Sequence, residues 1–446
     1  PLESGHTPYC FARKATTILN ETTQPKPTPE AKQDGGKLVF FEFIVLVAGM
    51  QSLTALSIDA MLPAFPDIGR DLNVSPANDV QLVIMVMFLG MALGQLLYGP
   101  LADSLGRRRP IMLGFVIYLS GSVVCLFSGT LTMLLLGRFL QGFGSAAFRI
   151  VTVAIIRDRF EGPTMARVMS FVMTIFILVP VVAPAIGQGV LWLAGWRAIF
   201  AMFLVNGLLL LLWFLMRMHE TLPLERRVPL SFTRSLNAAR EVFRIRAALG
   251  YTLCIGLMFG PFMAYLSTAQ QLFADVFDRG EELPVFFAIL ALSFGAASLT
   301  NASLVMKFGM YSLSLWSACT FTGVALLSWV VLQTVLPEPP LWGFMACLML
   351  TFFCQGLMFG NLNAMAMQPL GHIAGVGATM VGALSMLVSL PAAYVIAQAF
   401  DGTVLPLVTG YAVFGVAVVA AMLWTKRGIC RRPVTQASAG SSSVES

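Results

Sequence analysis

Charged side chains are scarce in this sequence. Asp, Glu, Lys and Arg together make up 11% of its 446 residues, whereas hydrophobic residues make up 57%. A water-soluble domain needs more polar surface than this composition supplies, so a soluble protein is excluded. The sequence instead predicts a chain that lies mostly within a lipid bilayer, which is then its most extensive partner.

Recognisable metal, disulfide and nucleotide-binding patterns are also missing. The seven cysteines lack metal-ligand or disulfide spacing, and five of them fall within apolar stretches as small hydrophobic residues. We find neither a phosphate-binding glycine loop nor a cluster of metal ligands in the sequence. No enzyme activity, no metal site and no cofactor are therefore predicted.

A nucleic-acid partner is not predicted either, although the formal net charge is +6. The basic residues are dispersed among short loops, whereas nucleic-acid binding needs them gathered on one face. Most of them fall in the N-terminal tail, in the loops after predicted helices two, four and six, and in the C-terminal tail. This charge bias predicts that these segments are cytosolic.

Twelve long apolar runs predict twelve membrane helices. The first six cover residues 38–62, 80–102, 111–128, 131–156, 168–191 and 198–216. The second six cover residues 247–268, 283–305, 312–333, 341–365, 378–399 and 406–425. An even number of crossings places both chain ends on the same side of the membrane.

The predicted fold class is an all-α membrane protein with two six-helix bundles. Its parts are a disordered cytosolic tail 1–37, an N-terminal bundle 38–216, a cytosolic basic linker 217–246, a C-terminal bundle 247–425 and a cytosolic tail 426–446. The pair Gln141–Gly142 has an echo in Gln355–Gly356, as expected of a structural repeat. Two halves related in this way imply a central cavity that opens alternately to each side.

A short charged turn separates predicted helices two and three. Asp103 stands four residues before Arg107, a spacing at which the two side chains can pair on a helix. Gly99 allows close helix packing, and Gly106 allows a tight reversal of the chain. The alternative is a basic turn that only sets the orientation of the chain in the membrane.

Few ionisable residues fall within the predicted helices, and their cost in hydrocarbon makes them functional candidates. Asp59, in the first helix, can load and release a proton as its access to water changes. The alternative for Asp59 is an acid close enough to the outer surface to be solvated. Glu42 lies near the cytosolic end of that helix, where snorkelling or its N-terminal position explains it. Gln51, two turns before Asp59, is a polar cavity candidate.

The fourth predicted helix carries Arg138 and Arg149. Their separation of eleven residues puts both on nearly the same helical face, about 16 Å apart. A buried guanidinium needs partners, and backbone carbonyls, Gln141 or a first-helix acid could supply them for Arg138. For Arg149, a salt bridge and a substrate contact are both open.

The fifth predicted helix contains two prolines and several small residues. Pro180 and Pro184 are expected to bend it, while Ala183 and Gly187, spaced four apart, let a neighbouring helix approach. Helix packing without a directional role is the alternative interpretation.

The second half has no clear charge within a membrane helix. Its polar cavity candidates are Tyr265, Gln270, Asn301, Asn361 and Asn363, which stand among many Met and Phe residues. Such a wall suits flat, lipophilic or weakly cationic molecules better than sugars, which need many paired hydrogen-bonding groups.

Several of these stretches together carry a family resemblance. They are Asp59 with Leu62–Pro63, Gln95–Gly99, Arg107–Arg109, Arg138–Gly142, Arg157–Asp158, Gly195–Arg197 and His219–Leu222. They resemble the major facilitator superfamily, and within it the Bcr/CflA branch of drug exporters. This resemblance implies Asp59 as the coupling acid, Arg138 as its modulator, and Asp103 with Arg107 as a cytosolic latch between the halves.

The fifth helix is also similar to the antiporter motif of proton-driven exporters, in which a Gly-Pro pair precedes paired glycines. Here Ala183 replaces the glycine before Pro184, and Gln188 separates Gly187 from Gly189.

The expected function is export of an amphipathic drug or metabolite in exchange for protons, driven by the proton gradient. We expect a monomer in the inner membrane with both tails cytosolic. Uptake by proton symport, and a membrane sensor without transport, are the alternatives.

Overall fold

The computed structural model describes residues 40–430. The predicted disordered tail 1–37 and the Ser-rich end after Arg432 lie outside the described residues. The predicted start of the first helix at residue 38 lies outside them as well.

Twelve long helices make up most of the described chain. In the first half they are α1 (Phe40–Asp59), α2 (Leu82–Leu105), α3 (Arg108–Leu126), α4 (Leu131–Arg159), α5 (Gly162–Ala194) and α6 (Trp196–Arg217). In the second half they are α7 (Arg246–Gln271), α8 (Leu283–Phe308), α9 (Met310–Thr334), α10 (Leu341–Met367), α11 (Ala374–Gln398) and α12 (Leu405–Cys430). No strand occurs among residues 40–430.

These helices are long and apolar enough to cross a bilayer. Eleven stretches meet that condition by length and composition, and one of them, Leu341–Gln398, contains both α10 and α11 joined by the 3₁₀ turn Gln368–Ile373. At 1.5 Å per residue, the shortest helix, α3, is about 28 Å long, close to the thickness of the hydrocarbon core. The prediction of an all-α membrane protein with twelve helices is confirmed.

Short helical segments occupy several connections. They are Leu62–Ala64, Phe65–Asp71, Ala77–Gln81, Leu224–Arg226, Phe232–Arg244, Leu272–Val276 and Gly280–Glu282. The predicted first helix extends to residue 62, whereas α1 ends at Asp59 because Pro63 belongs to the turn that follows. The helix Phe232–Arg244 within the linker was not predicted. It forms because Ala238 and Val242 are buried in the same cluster as residues of α7 and α11.

The helices alternate in direction, so their ends lie on two sides. We call the side that carries Phe40 of α1 and Cys430 of α12 the terminal side, and the opposite one the far side. The charged turn after α2 lies on the terminal side, and the turn after α1 lies on the far side.

Close backbone contact holds α2 against α4. A Cβ atom at Gly142 of α4 would overlap the carbonyl oxygen of Met87 on α2, which no side chain allows. Only glycine fits at this crossing. The crossing fixes α4, and with it Arg138 and Arg149, relative to α2.

The two halves meet along α2 with α11 and along α5 with α8. On the far side they are also joined by hydrogen bonds. The Asn78 side-chain amide donates to the carbonyls of Gln398 and Phe400, at 3.1 and 2.9 Å, and Gln81 donates to Gln271. Toward the terminal side, Arg149 of α4 and Asn363 of α10 are exposed instead. The two halves are therefore joined by hydrogen bonds on the far side, whereas Arg149 and Asn363 are accessible toward the terminal side.

The contact at Gly142 predicts a stability difference between two glycine substitutions. Gly142→Ala forces α2 and α4 apart, and overpacking of this kind costs about 1–3 kcal/mol. Gly323→Ala in α9 is the matched control, because no atom lies within 4 Å of its added methyl group. Thermal unfolding of the purified chain should show a lower midpoint for Gly142→Ala and an unchanged or higher one for Gly323→Ala. Equal midpoints would contradict the tight crossing.

Candidate functional site

Asp59 is the last residue of α1 and is buried, with 5% of its surface exposed. Among the described residues no side chain donates a hydrogen bond to it and no cation pairs with it. It lies within electrostatic range of Tyr265 of α7, which belongs to the other half of the molecule, and the turn Leu62–Ala64 that follows Asp59 contacts α7. The Tyr265 hydroxyl is also buried without a hydrogen-bond partner. Two unpaired polar groups, one from each half, therefore lie near each other in the interior.

Arg138 is fully buried and ties three helices together. Its guanidinium donates to the carbonyl of Ser57 on α1 at 2.9 Å and to that of Val83 on α2 at 3.1 Å. It also donates to Oε1 of Gln141 at 2.9 Å, one turn further along α4. Nη2 of Arg138 has no partner. Of the partners expected for Arg138, the carbonyls and Gln141 are present, and among the described residues no acid pairs with it.

The Arg138 contacts continue into a buried polar network in the first half. Gln141 donates to the hydroxyl of Ser122 on α3 at 2.8 Å. The hydroxyls of Ser57 and Tyr118 share a hydrogen bond of 2.6 Å between α1 and α3. Because Ser57 lies two residues before Asp59, this network holds the backbone of α1 directly beside the acid.

Arg149 differs from Arg138 in having no partner. Its side chain is exposed, and within the described part of the chain it makes no hydrogen bond and no ion pair. Gln51 does not reach it. The Gln51 amide donates to the Thr152 hydroxyl at 3.0 Å and so joins α1 to α4 one turn beyond Arg149. The salt bridge that the sequence left open for Arg149 is not formed in this conformation.

Helix α5 packs against α1 at the residue that follows Asp59. A Cβ atom at Gly187 would overlap the carbonyl oxygen of Ala60, so glycine is required there. Pro184 and Ala183 are buried in this region, and Pro180 lies one turn earlier within the same helix. Gly189 has no atom within 4 Å of an added methyl group. The spacing of Ala183 and Gly187 thus does allow a close approach, and the neighbour is α1.

In the second half, Asn361 pairs with Asn301. The two amides exchange hydrogen bonds of 2.8 and 3.3 Å between α10 and α8. Asn363 is exposed on α10, whereas Gln270 is buried near the far-side end of α7. Tyr265 packs edge-on against Phe352 of α10, with the ring centroids 5.1 Å apart. Asn361 therefore has a structural partner, and Asn363 is exposed.

The charged turn after α2 forms a tight cluster on the terminal side. Arg107 donates to Asp103 and to Asp158 of α4, each at 2.8 Å. These paired carboxylates outweigh the opposing effect of burial and raise the pKa of Arg107. Gly106 has φ of +88°, a conformation that favours glycine.

Glu220, in the segment after α6, completes this cluster. Its carboxylate accepts hydrogen bonds from the backbone N–H groups of Arg107, Arg108, Thr221 and Leu222, at 2.7 to 3.2 Å. Partial burial alone would raise the pKa of Glu220, but these backbone donors outweigh it and lower the pKa below its usual value. Asp158 and Glu220 were not among the site residues predicted from the sequence, although both fall in stretches that carry the family resemblance.

The contacts of this cluster show which elements the Asp103–Arg107 pair, predicted as a latch between the halves, connects in this conformation. Asp103, Arg107, Asp158 and Glu220 belong to the first half and to the segment that follows it. Contact with the second half is made at Gly99, where a Cβ atom would lie 2.8 Å from a side-chain carbon of Thr379 on α11. The Asp103–Arg107 pair therefore joins elements of the first half, and Gly99 marks the boundary between the halves.

Glu42 has a structural partner. It accepts two hydrogen bonds of 2.6 Å from Arg217 and one of 3.1 Å from the Trp213 indole, both on α6. This ion pair fixes the start of α1 against the end of α6 on the terminal side. Neither snorkelling nor a position at the helix N-terminus is needed to explain it.

Metal binding finds no support in the described part of the chain. Residues 40–430 contain no group of three or more His, Cys, Asp or Glu side chains placed to hold an ion.

Comparison with solved structures gives the fold. A D-xylose–proton symporter matches with a TM-score of 0.67 and 16% identity, over 87% of this chain and 97% of its own. The human organic anion transporter MFSD10 matches with a TM-score of 0.63 and 16% identity, over 85% and 98%. At these identities the likeness shows the arrangement of helices alone.

Comparison with known sequences gives the family. The model of the Major Facilitator Superfamily matches residues 47–395. The MFS-type transporter YdgK of Bacillus subtilis, described as uncharacterized, is 32% identical over 77% of this chain and 85% of its own. A bicyclomycin resistance protein homolog of Haemophilus influenzae is 28% identical over 78% and 87%. Multidrug resistance protein MdtL of Escherichia coli O157:H7 is 27% identical over 76% and 84%. With most of its length matched by the family model, and with its helices arranged as in transporters of known structure, this chain belongs to the Major Facilitator Superfamily.

Proposed function

We propose that this protein is a proton-coupled exporter that expels amphipathic drugs or drug-like metabolites by alternating access. The observation that carries the proposal is the buried, unpaired carboxyl of Asp59, which lies between the two halves beside Tyr265. The names of two relatives, a bicyclomycin resistance protein homolog and a multidrug resistance protein, support export of drugs as the direction and substrate class.

The sidedness follows from charge. The terminal side carries the arginines of the turn after α2 and of the segment after α6, and basic loops favour the cytosol. We therefore place the terminal side and both tails in the cytosol. The membrane is the plasma membrane, which in Gram-negative bacteria is the inner membrane. The working unit is a monomer with bundles at 38–216 and 247–425. The hydrogen bonds that Asn78 and Gln81 make to the second half then lie toward the outside of the cell.

In this proposal Asp59 is the coupling group. An unpaired carboxyl holds a proton more readily when it is enclosed, and water that reaches it allows the proton to leave. Opening the far side requires the hydrogen bonds of Asn78 and Gln81 to the second half to break. Proton uptake from outside and compound binding from the cytosol would favour opposite openings, which couples the two movements.

Arg138 is assigned the role of a modulator. It holds the Ser57 carbonyl, two residues before Asp59, and has one further nitrogen free to take a partner. The close contact of Gly187 with Ala60 lets α5 follow any movement of α1 at the acid. Gln51, Gln141, Tyr265, Asn361 and Asn363 are proposed to border the passage. No cofactor is needed, because the proton gradient supplies the driving force.

Replacing Asp59 is the direct test of coupling. A substrate is first chosen from a panel of antibiotics and dyes by its binding to the purified chain. Asp59→Asn should then lower the gradient-driven extrusion of that compound from membrane vesicles by about tenfold or more. A loss of this size lies within the usual range of coupling free energies. Asp59→Glu, which keeps a titratable group, should retain part of the activity. Asp67→Asn, an exposed acid on the far side, is the matched control.

The same assay separates the alternatives. Full extrusion by Asp59→Asn would remove this residue from the mechanism. Greater accumulation in cells that make the wild-type protein would indicate proton symport, and no change with any compound of the panel would favour a sensor.

The terminal-side cluster is proposed to act during the conformational change. Asp103→Asn removes one of the two carboxylates on Arg107 and leaves Asp158 in place. Because a partly exposed ion pair contributes less than about 1 kcal/mol, the transport rate should change about two- to fivefold. Equilibrium binding of the same compound should stay constant. An unchanged rate would reject a role for Asp103 in switching.

Glu220 gives this cluster a pH dependence with a defined sign. Its pKa is lower in the folded protein than in the unfolded chain, so its contribution to stability is present at neutral pH and is lost as the pH falls through the folded-state pKa. Glu220→Gln should lower stability at pH 7 by about 1–3 kcal/mol through weaker hydrogen bonds to the backbone donors. Thermal midpoints measured from pH 7 to pH 3.5 should converge for the variant and the wild type. A constant difference over this range would contradict the ionised state of Glu220.

A further inference from the structure

The side chain of Arg149 is an unused positive charge within a membrane helix. It lies ten residues from the terminal-side end of α4, about 15 Å along the axis, so it is well inside the hydrocarbon thickness. Within residues 40–430 it has no hydrogen-bond acceptor, and no acidic side chain acts on it. Placing a cation at this depth of the bilayer costs free energy. Membrane proteins keep such cations where the cation has a partner or borders a water-filled space.

Helix geometry shows that Arg149 faces the interior and not lipid. Eleven residues at 100° each bring Arg149 within about 20° of Arg138, whose side chain reaches the backbones of α1 and α2. Ser145, one turn before Arg149, is buried, and Thr152, one turn after it, is hydrogen-bonded to Gln51 of α1. An exposed residue on this inward face must border the open space between the halves.

The second half carries aromatic rings beside the boundary between the halves, where Phe259 of α7 contacts Phe88 of α2 with ring centroids 5.9 Å apart. Phe259 of α7 contacts Phe262 of the same helix and Phe359 of α10, with ring centroids 5.3 and 6.3 Å apart. All three rings are partly exposed. Phe359 lies eight residues from the terminal-side end of α10, about 12 Å along the axis, a depth comparable with that of Arg149.

Arg149 and Asp59 lie at different depths and cannot share one ligand group. The rings of Phe40 and Phe160 are in contact, with centroids 5.9 Å apart, so the terminal ends of α1 and α4 are level. From that level Asp59 is about 28 Å and Arg149 about 16 Å along the helix axes. The backbone positions of the two residues therefore differ by about 12 Å in depth, and among the described residues the Arg149 guanidinium is paired with neither Asp59 nor any other acid.

Resting on the proposed function, we propose that Arg149 binds the anionic group of the exported compound, which makes the substrate class amphipathic organic anions. A carboxylate or sulfonate would pair with the guanidinium, and the aromatic or lipophilic body would lie against Phe259, Phe262 and Phe359. In this assignment Asp59 binds and releases the proton, and Arg149 binds the charged group of the substrate. This assignment differs from the weakly cationic compounds that the composition of the second half suggested.

Two probes with one skeleton test the charge requirement. 8-Anilinonaphthalene-1-sulfonate and N-phenyl-1-naphthylamine differ by the sulfonate group alone. Binding of each to the full chain in lipid nanodiscs is measured by fluorescence, with empty nanodiscs subtracted. The wild type should bind the sulfonate about tenfold or more tightly than the neutral probe, as a charge-assisted contact in a confined site provides.

Three variants make the assignment specific to Arg149. Arg149→Gln should weaken sulfonate binding about tenfold or more and leave the neutral probe unchanged, whereas Arg149→Lys should retain most of the preference. Arg70→Gln removes an exposed arginine on the far side and should behave as the wild type. Equal affinity of the wild type for both probes, unchanged sulfonate binding by Arg149→Gln, or equal weakening of both probes would overturn the proposal.

Transport measured with the same proteins distinguishes a failure of the anion site from a failure of the proposed export function. In proteoliposomes, a pH gradient that drives the neutral probe as well as the sulfonate would overturn the anion assignment and leave proton-coupled export standing. Sulfonate binding that depends on Arg149, without transport of any probe under the gradient, would instead overturn the exporter and retain the anion site.

Discussion

Burying a charge within a bilayer is costly unless a partner compensates for it, and this constraint divides the charged residues of the membrane helices into two kinds. Glu42 with Arg217, and Arg138 with its carbonyl and amide acceptors, have their partners within the first half. Asp59 and Arg149 have none among the described residues. The first kind holds helices together, and the second kind is available to ligands.

The paired charges position the unpaired ones. Arg138 holds α1 at Ser57 and α2 at Val83, so the end of α1 that carries Asp59 has a fixed place relative to α4. The crossing at Gly142 and the contact at Gly187 bring α2 and α5 to the same region through backbone approach. These short contacts hold α1, α2, α4 and α5 together around Asp59. The second half contributes aromatic rings and the Tyr265 hydroxyl to the space between them.

The sequence predicted the class of fold and the number of helices because apolar runs of membrane length are a strong local signal. The end of α1 was predicted less accurately, and the helix in the linker was not predicted. The first depends on where Pro63 enters a turn, and the second depends on burial of Val242 in a cluster formed by distant helices. Neither condition is visible in a local pattern.

The sequence singled out Asp59, Arg138 and Arg149 as candidates because charges in apolar runs are rare. It could not distinguish the arginine that has partners from the one that has none, because the partners of Arg138 are backbone carbonyls on two other helices. The i, i+4 pair of Asp103 and Arg107 was predictable from spacing, whereas the contacts of Asp158 and Glu220 join segments far apart in the chain.

The central claim is that movement of a compound through this protein is tied to movement of a proton at Asp59. Proton movement can be measured directly in proteoliposomes that contain the purified chain and an entrapped pH-sensitive dye. An outward gradient of a compound that the protein binds is imposed, without any pH gradient. The account predicts proton movement into the vesicles as the compound leaves, and none with Asp59→Asn. Compound efflux through the wild type without proton movement, or with protons moving in the same direction, would contradict it.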